Sequence, residues 1–194
     1  MTARIEPLPP KQWPSEMRWA LEPLASAGRR HPSPPRDDPT SGVAALGVFA
    51  HHPQLARAFT TFNGHILWDT SLTPRLRQLA ILRVVDRRHA SYLWREHSRS
   101  SLAAGLDAEE VERVHLGPGA PEWCRLEGAV LRAVDELVDD GCIADETWSV
   151  LAAELDVEQL ADLVCTVGCY ETNSMLLRSF GVEAEPETDT PDAG

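Results

Sequence analysis

The stretch Thr73-Pro74-Arg75-Leu76-Arg77-Gln78-Leu79-Ala80-Ile81-Leu82-Arg83-Val84-Val85 decides the fold. Thr73 is a side-chain cap and Pro74 suits the first position of a helix, where a missing N–H costs nothing. The run Leu79 to Val85 then offers almost no polar stripe. A helix that is apolar on nearly all sides is a buried one. The spacing predicts a helix over about 74–88 that other helices must surround.

Downstream, Ser91-Tyr92-Leu93-Trp94-Arg95-Glu96-His97 opens a second helix, about 90–104, which stops at Gly105. Within it, Leu93 and His97 share a face, and Trp94 and His97 are i,i+3 neighbours. Asp107 caps a short helix through Val114, and Leu116-Gly117-Pro118-Gly119-Ala120-Pro121 breaks the chain. Further helices are expected at about 123–139, ending near Gly141, and at about 146–154, capped by Asp145. A long one over about 157–179 is opened by Asp156 with Gln159, a variant of the capping box, and closed by Gly181. Upstream, helices at 43–50 and 53–67 are separated by His52-Pro53. No β alternation of useful length occurs. The fold class is therefore all-α, with a helical domain over 41–182.

Before that domain lies a proline-rich arm, 1–40, with a short amphipathic helix at 14–27 carrying Met17, Trp19, Leu21 and Leu24. Gly28 to Thr40, with four prolines, reads as a loop rather than a packed element. The acidic tail 183–194 reads as disordered.

The net charge of −12 argues against a nucleic-acid partner, since binding a polyanion requires clustered Lys and Arg. No apolar run approaches the ~20 residues that span a bilayer, and residues 1–7 lack the apolar core of a signal peptide. A cytoplasmic location is expected, with no membrane partner. Lys11 is the sole lysine beside many arginines, a composition that fits a GC-rich genome. The four cysteines, at 124, 142, 165 and 169, form no Cys-x-x-Cys pair, and buried free thiols are expected.

His97 is the leading candidate for chemistry, because imidazole titrates near neutrality and can move protons there. The alternative is a core histidine with a satisfied hydrogen bond. Tyr92 offers a hydroxyl to a substrate oxygen, or is a buried aromatic bonded to backbone. Trp94 reads as wall or core. Cys165 and Cys169 share a helix face, where a disulfide is geometrically poor; Cys169 is expected to pack, or to line a pocket. Glu171 is the carboxylate best placed to partner His97, or else part of a polar face. Asn63, near His65, orients a substrate or sits on a surface turn. His51, His52 and His89 read as surface or cap positions. Arg83 interrupts the apolar run; a structural ion pair is the first reading and a substrate-carboxylate anchor the second. No spacing suggests a metal, and no cofactor is expected.

The segments Pro74 to Val84, Tyr92 to His97 and Ala104-Gly105-Leu106 with Glu109 and Glu110 resemble the carboxymuconolactone decarboxylase family, part of the alkylhydroperoxidase D-like superfamily. Leu126-Glu127, Ala133 to Leu137, Val167 to Tyr170, Ser174 to Leu177 and Gly181-Val182 continue the likeness. The resemblance implies an all-helical bundle that assembles into homo-oligomers, commonly trimers or multiples of them. Its peroxidase branch carries a Cys-x-x-Cys pair separated by three residues from the histidine, and a glutamate on the preceding helix. Here those positions hold Ala90, Leu93 and Gln78, so thiol-peroxidase chemistry is disfavoured. A non-thiol branch has Glu-Tyr-Glu-Trp before the histidine; here Ser91 and Leu93 replace the acids while Tyr92 and Trp94 remain.

The resemblance thus implies a cofactor-independent enzyme of the carboxymuconolactone decarboxylase type. It would perform lyase or proton-transfer chemistry on an organic acid or lactone. His97 would act as acid or base, Tyr92 and Asn63 as orienting groups, and Glu171 would tune His97. The competing expectation is a protein that kept the fold and lost the chemistry, serving binding or assembly. Residual redox work through Cys165 or Cys169 is a third reading.

Overall fold

The computed structural model describes residues 3–25, 28–31 and 42–183. Its helices are α1 (Met17–Leu21), α2 (Val43–Phe49), α3 (Pro53–Gly64), α4 (Pro74–Arg87), α5 (Ser91–Ala103), α6 (Ala108–Arg113), α7 (Arg125–Asp140), α8 (Asp145–Leu151) and α9 (Val157–Phe180). No strand occurs among the described residues.

Helix α4 is the axle of the bundle, with α5, α7 and α9 packed around it. Every residue from Leu76 to Val85 is buried. Each large apolar side chain taken from water there contributes roughly 1.5–3 kcal/mol. The same burial traps three polar side chains, Arg77, Gln78 and Arg83, inside the protein. Their fates differ, and the difference organises the site. Thr73 Oγ1 accepts the Leu76 N–H and Pro74 starts the helix, as the sequence predicts.

Other boundaries also follow local chemistry. Asp107 with Glu110, and Asp156 with Gln159, form full capping boxes. Gly105, Gly141 and Gly181 adopt the left-handed conformation at helix ends. Two details depart from expectation. Cys124, not an oxygen-bearing residue, caps α7 in a box with Glu127. Ala144, not Asp145, is the N-cap of α8; the Glu136 carboxylate accepts its N–H and the Thr147 hydroxyl, so a distant side chain does the capping.

The helix predicted over 53–67 ends as α at Gly64 and continues as a π-helical turn, His65–Asp69. Periodicity cannot distinguish such a turn, which shifts hydrogen bonds by one residue and is frequent at functional sites.

The N-terminal segment is packed rather than free. Met17 and Ala20 build a small second core with Phe49, Ala50 and Ala56. The chain passes so close to α2 that a Cβ at Gly47 would lie 2.5 Å from the Leu8 carbonyl oxygen. Residues 28–31, expected in an unpacked loop, are also tied down. Arg29 pairs with Asp69, and the His31 N–H donates to the Trp68 carbonyl at 2.8 Å. The remainder of that predicted loop and nearly all of the predicted tail, from residue 184 on, lie outside the described residues. Among the described residues, no helix is long and apolar enough to cross a membrane.

Candidate functional site

His97 faces inward from α5 and retains 9 % exposure. Its Nδ1 lies 3.1 Å from Gln78 Oε1 on α4. An amide oxygen only accepts, so Nδ1 carries the proton and donates it. Nε2 then keeps its lone pair. The ring meets the edge of Tyr170 on α9 in a T-shaped contact, centroids 4.8 Å apart. Ser101 Oγ donates to the His97 carbonyl at 2.6 Å, binding the next turn of α5 to this one.

Electrostatics keep the ring neutral. Burial, and secondarily the nearby Arg77 guanidinium, push the imidazole pKa down to about 3. Tyr170, fully enclosed, has its phenol pushed well above its ordinary range by burial. Arg77 is itself 7 % exposed. Its Nη1 donates to the Leu67 carbonyl in the π turn at 2.8 Å, and its Nε has no partner among the described residues. Burial lowers its pKa. Two further buried polar atoms on α9, Asn173 Oδ1 and Ser174 Oγ, also lack partners among the described residues.

The sequence pattern had not singled out Arg77 or Tyr170. The signal for Arg77 is present in the sequence: in a helix buried on all sides any arginine is buried, Arg77 as much as Arg83. Tyr170 gave no such cue, since one aromatic among apolar neighbours reads as core.

The other predicted residues scatter. Tyr92 is buried, but its hydroxyl meets the backbone of Ala45 and Ala44 on α2; burial raises its pKa. That is the structural reading of this side chain. Trp94 is half-buried and stacks on His115, ring centroids 4.1 Å apart. Asn63 and Cys169 do meet, with Sγ donating to Oδ1 at 3.6 Å. Cys169 lies beside Tyr170 in the chain, and burial, with Cys165 contributing, pushes its thiol up to about 12. A thiol held protonated is a poor nucleophile. Cys124, Cys142 and Cys165 are exposed, contrary to the expectation of buried thiols.

Two expectations are corrected. Glu171 does not partner His97: both its oxygens accept from Arg88, at 2.7 and 2.6 Å, so its charge is spent on tying α9 to the end of α4. His97 finds an amide instead. Arg83 is no substrate anchor: Nε and Nη2 donate to the two oxygens of Asp135 at 2.7 and 2.9 Å, and Nη1 to Asp86 and the Val114 carbonyl, each at 3.0 Å. Gly117, at φ +79°, leaves room for it; a Cβ there would sit 2.9 Å from Nη2.

Two open hollows lie away from His97. One is lined by Ala108, Glu109, Glu112, Arg113 and Leu116; the other is formed by the N-terminal segment around Trp13, Met17 and Leu21. No group of three potential metal ligands occurs among the described residues.

The structure is similar to the crystal structure of a protein of unknown function from Agrobacterium tumefaciens, described as a candidate antioxidant defence protein AhpD. The two share 18 % identity at a TM-score of 0.66, over 72 % of this chain and 96 % of that one. At that identity the likeness establishes the alkylhydroperoxidase D-like fold. No curated protein matches the sequence. The family model for the carboxymuconolactone decarboxylase family matches residues 53–136, which run from α3 through most of α7 and contain His97, Gln78 and Arg77. Residues 53–136, somewhat under half of the chain, are thus similar to the carboxymuconolactone decarboxylase family.

Proposed function

We propose that the chain is a cofactor-independent enzyme that moves protons on a small organic acid or lactone, in the manner of a lyase, with His97 as the proton-transfer group. One observation carries the reading. His97 is neutral, its Nδ1 proton is committed to Gln78, and Nε2 is left as the reactive nitrogen. An imidazole with a pKa near 3 holds no proton to give at neutral pH and is a weak base. It takes a proton from the substrate only where a bound anion offsets the Arg77 charge and raises that pKa. The acid-or-base role expected from sequence becomes that of a base strengthened by the substrate's own charge. Gln78 orients the ring, and Tyr170 packs its edge.

The test is incorporation of solvent deuterium into, or loss of carbon dioxide from, a panel of small organic acids and lactones. His97→Gln lowers the rate by roughly 10²–10⁴-fold, the usual contribution of a general base. Equal rates in the two proteins would remove the proposal. Thiol-dependent peroxide reduction is expected to be absent, because Ala90 and Leu93 stand where the peroxidase branch has its cysteine pair.

A second reading, binding or assembly without catalysis, is favoured by one observation. His97 is closed off in the single chain, whereas the open hollows lie elsewhere. A homo-oligomer is part of both readings. Its natural contact is the outer face of α9, where Ala161, Val164, Cys165, Gly168, Thr172 and Met175 are exposed and uncharged in a chain of net charge −12. Sedimentation of the full chain tests this, with Gly168→Glu expected to shift it toward monomer.

A further inference from the structure

We propose that Arg77 is the docking point of a small monoanionic carboxylate, held within the His97 cluster between α4, α5 and α9. The proposal rests on reading this cluster as a small-molecule site and names the class of molecule it takes.

A guanidinium withdrawn from water needs a counter-charge. Arg83, on the same helix and as deeply buried, has two carboxylates and a carbonyl. Arg77 has a single carbonyl, that of Leu67, and no ion pair among the described residues. Its Nε is an unused donor, and one face of the planar fork matches the two oxygens of a carboxylate. The depressed pKa of Arg77 agrees with an uncompensated charge.

The cluster also specifies the ligand's charge. Arg77 supplies one positive charge, while His97, Gln78 and Tyr170 supply none near neutrality. One anionic group is balanced there; a phosphate dianion is not. Ser174 Oγ, buried and unpartnered, lies on α9 one helical turn beyond Tyr170. The ligand's carboxylate would also lessen the repulsion that Arg77 exerts on a protonated His97, so anchoring the substrate and readying the base become one event.

The experiment titrates the full-length protein with acetate, propionate and benzoate, against chloride and inorganic phosphate at equal ionic strength. Binding is followed by the NMR signals of the Arg77 Nε–H and the His97 imidazole. Saturable movement of both signals with carboxylates, and none with phosphate or chloride, is expected. Arg77→Met abolishes the carboxylate response of His97. Arg77→Lys, which keeps charge but not the fork, weakens it roughly tenfold, and this second variant decides the matter should the first fail to fold. Absence of carboxylate binding by the wild type, equal response to phosphate, or an unchanged His97 response in Arg77→Met or Arg77→Lys would overturn the proposal. His97→Gln separates it from the catalytic reading: carboxylates still move the Arg77 signal in that variant, whereas turnover is lost. Binding without turnover in the wild type removes only the catalytic reading. His97-dependent turnover without carboxylate binding removes only the anchor.

Discussion

Helix α4 places two arginines inside the bundle six residues apart, and the molecule treats them oppositely. Arg83 is enclosed by Asp135, Asp86 and the Val114 carbonyl, in a socket kept open by Gly117. It joins α4 to α7 and to the turn after α6. Arg77 reaches one carbonyl, sits near a neutral histidine and leaves Nε unpaired. Equal burial therefore does not mean equal purpose. A buried charge with its full complement of partners is a fastening. One whose partners stop short marks where the fold accepts a cost that packing alone does not explain.

The largest effect that tests this contrast comes from Arg83. Arg83→Met leaves Asp135 and Asp86 without their main partner, and stability should fall by about 3–5 kcal/mol in urea denaturation. Arg87 and His115, which also reach these carboxylates, temper the loss. Adding Asp135→Leu to the first change should recover part of it, since a hydrophobic replacement of both partners removes the stranded charge. A single Arg83→Met that costs less than about 1 kcal/mol would erase the distinction between the two arginines.

The next effect is a pH dependence from His97. In the unfolded chain this imidazole takes a proton near 6.5, whereas in the folded protein it does so only near 3. Its neutral, buried state therefore favours folding fully above pH 6.5. That advantage is lost as pH falls from 6.5 toward about 3, at up to about 1.4 kcal/mol per pH unit. His97→Gln should flatten the slope in that window. Stability measured at intervals from pH 7 to pH 4 checks it; parallel curves for the two proteins would mean that water reaches the ring.

Arg77→Met should lie at the other end of the scale from Arg83→Met. It removes a charge with no carboxylate partner and frees one carbonyl, so the net change should fall within about 1 kcal/mol of zero, in either direction. A loss as large as that of Arg83→Met would mean that Arg77 is another fastening.

The bundle was legible because its strongest signal is physical. A helix apolar all round has to be the centre of something, and capping residues at Thr73, Asp107 and Asp156 mark where elements begin. The site was legible only at its histidine. His97 stands out as a titratable group after two aromatics, but which side chain meets it depends on helix packing, and sequence spacing within one helix does not encode that. By charge Glu171 suits His97, yet in the fold both of its oxygens accept from Arg88. The π turn at His65–Asp69 escaped for a similar reason: it supplies the Leu67 carbonyl to Arg77, and nothing in local periodicity distinguishes it from one more α turn.

The smallest effect concerns that misplaced carboxylate. Glu171→Gln removes a half-exposed ion pair with Arg88 and should cost no more than about 1 kcal/mol. It should also leave the His97 titration where it is, because Glu171 accepts its hydrogen bonds from Arg88 and pairs its charge there. Gln78→Glu is the matched opposite. It places a carboxylate 3.1 Å from Nδ1, where an anion favours the imidazolium, and it should raise the His97 pKa from about 3. NMR titration of the His97 ring in both variants compares the two candidate partners directly. Movement in Gln78→Glu with none in Glu171→Gln shows that position 78, and not position 171, is placed to tune a ring kept neutral by burial and Arg77. Burial and Arg77 leave the histidine unprotonated at neutral pH, and a glutamate at 78 would move its titration toward the range where it can carry a proton.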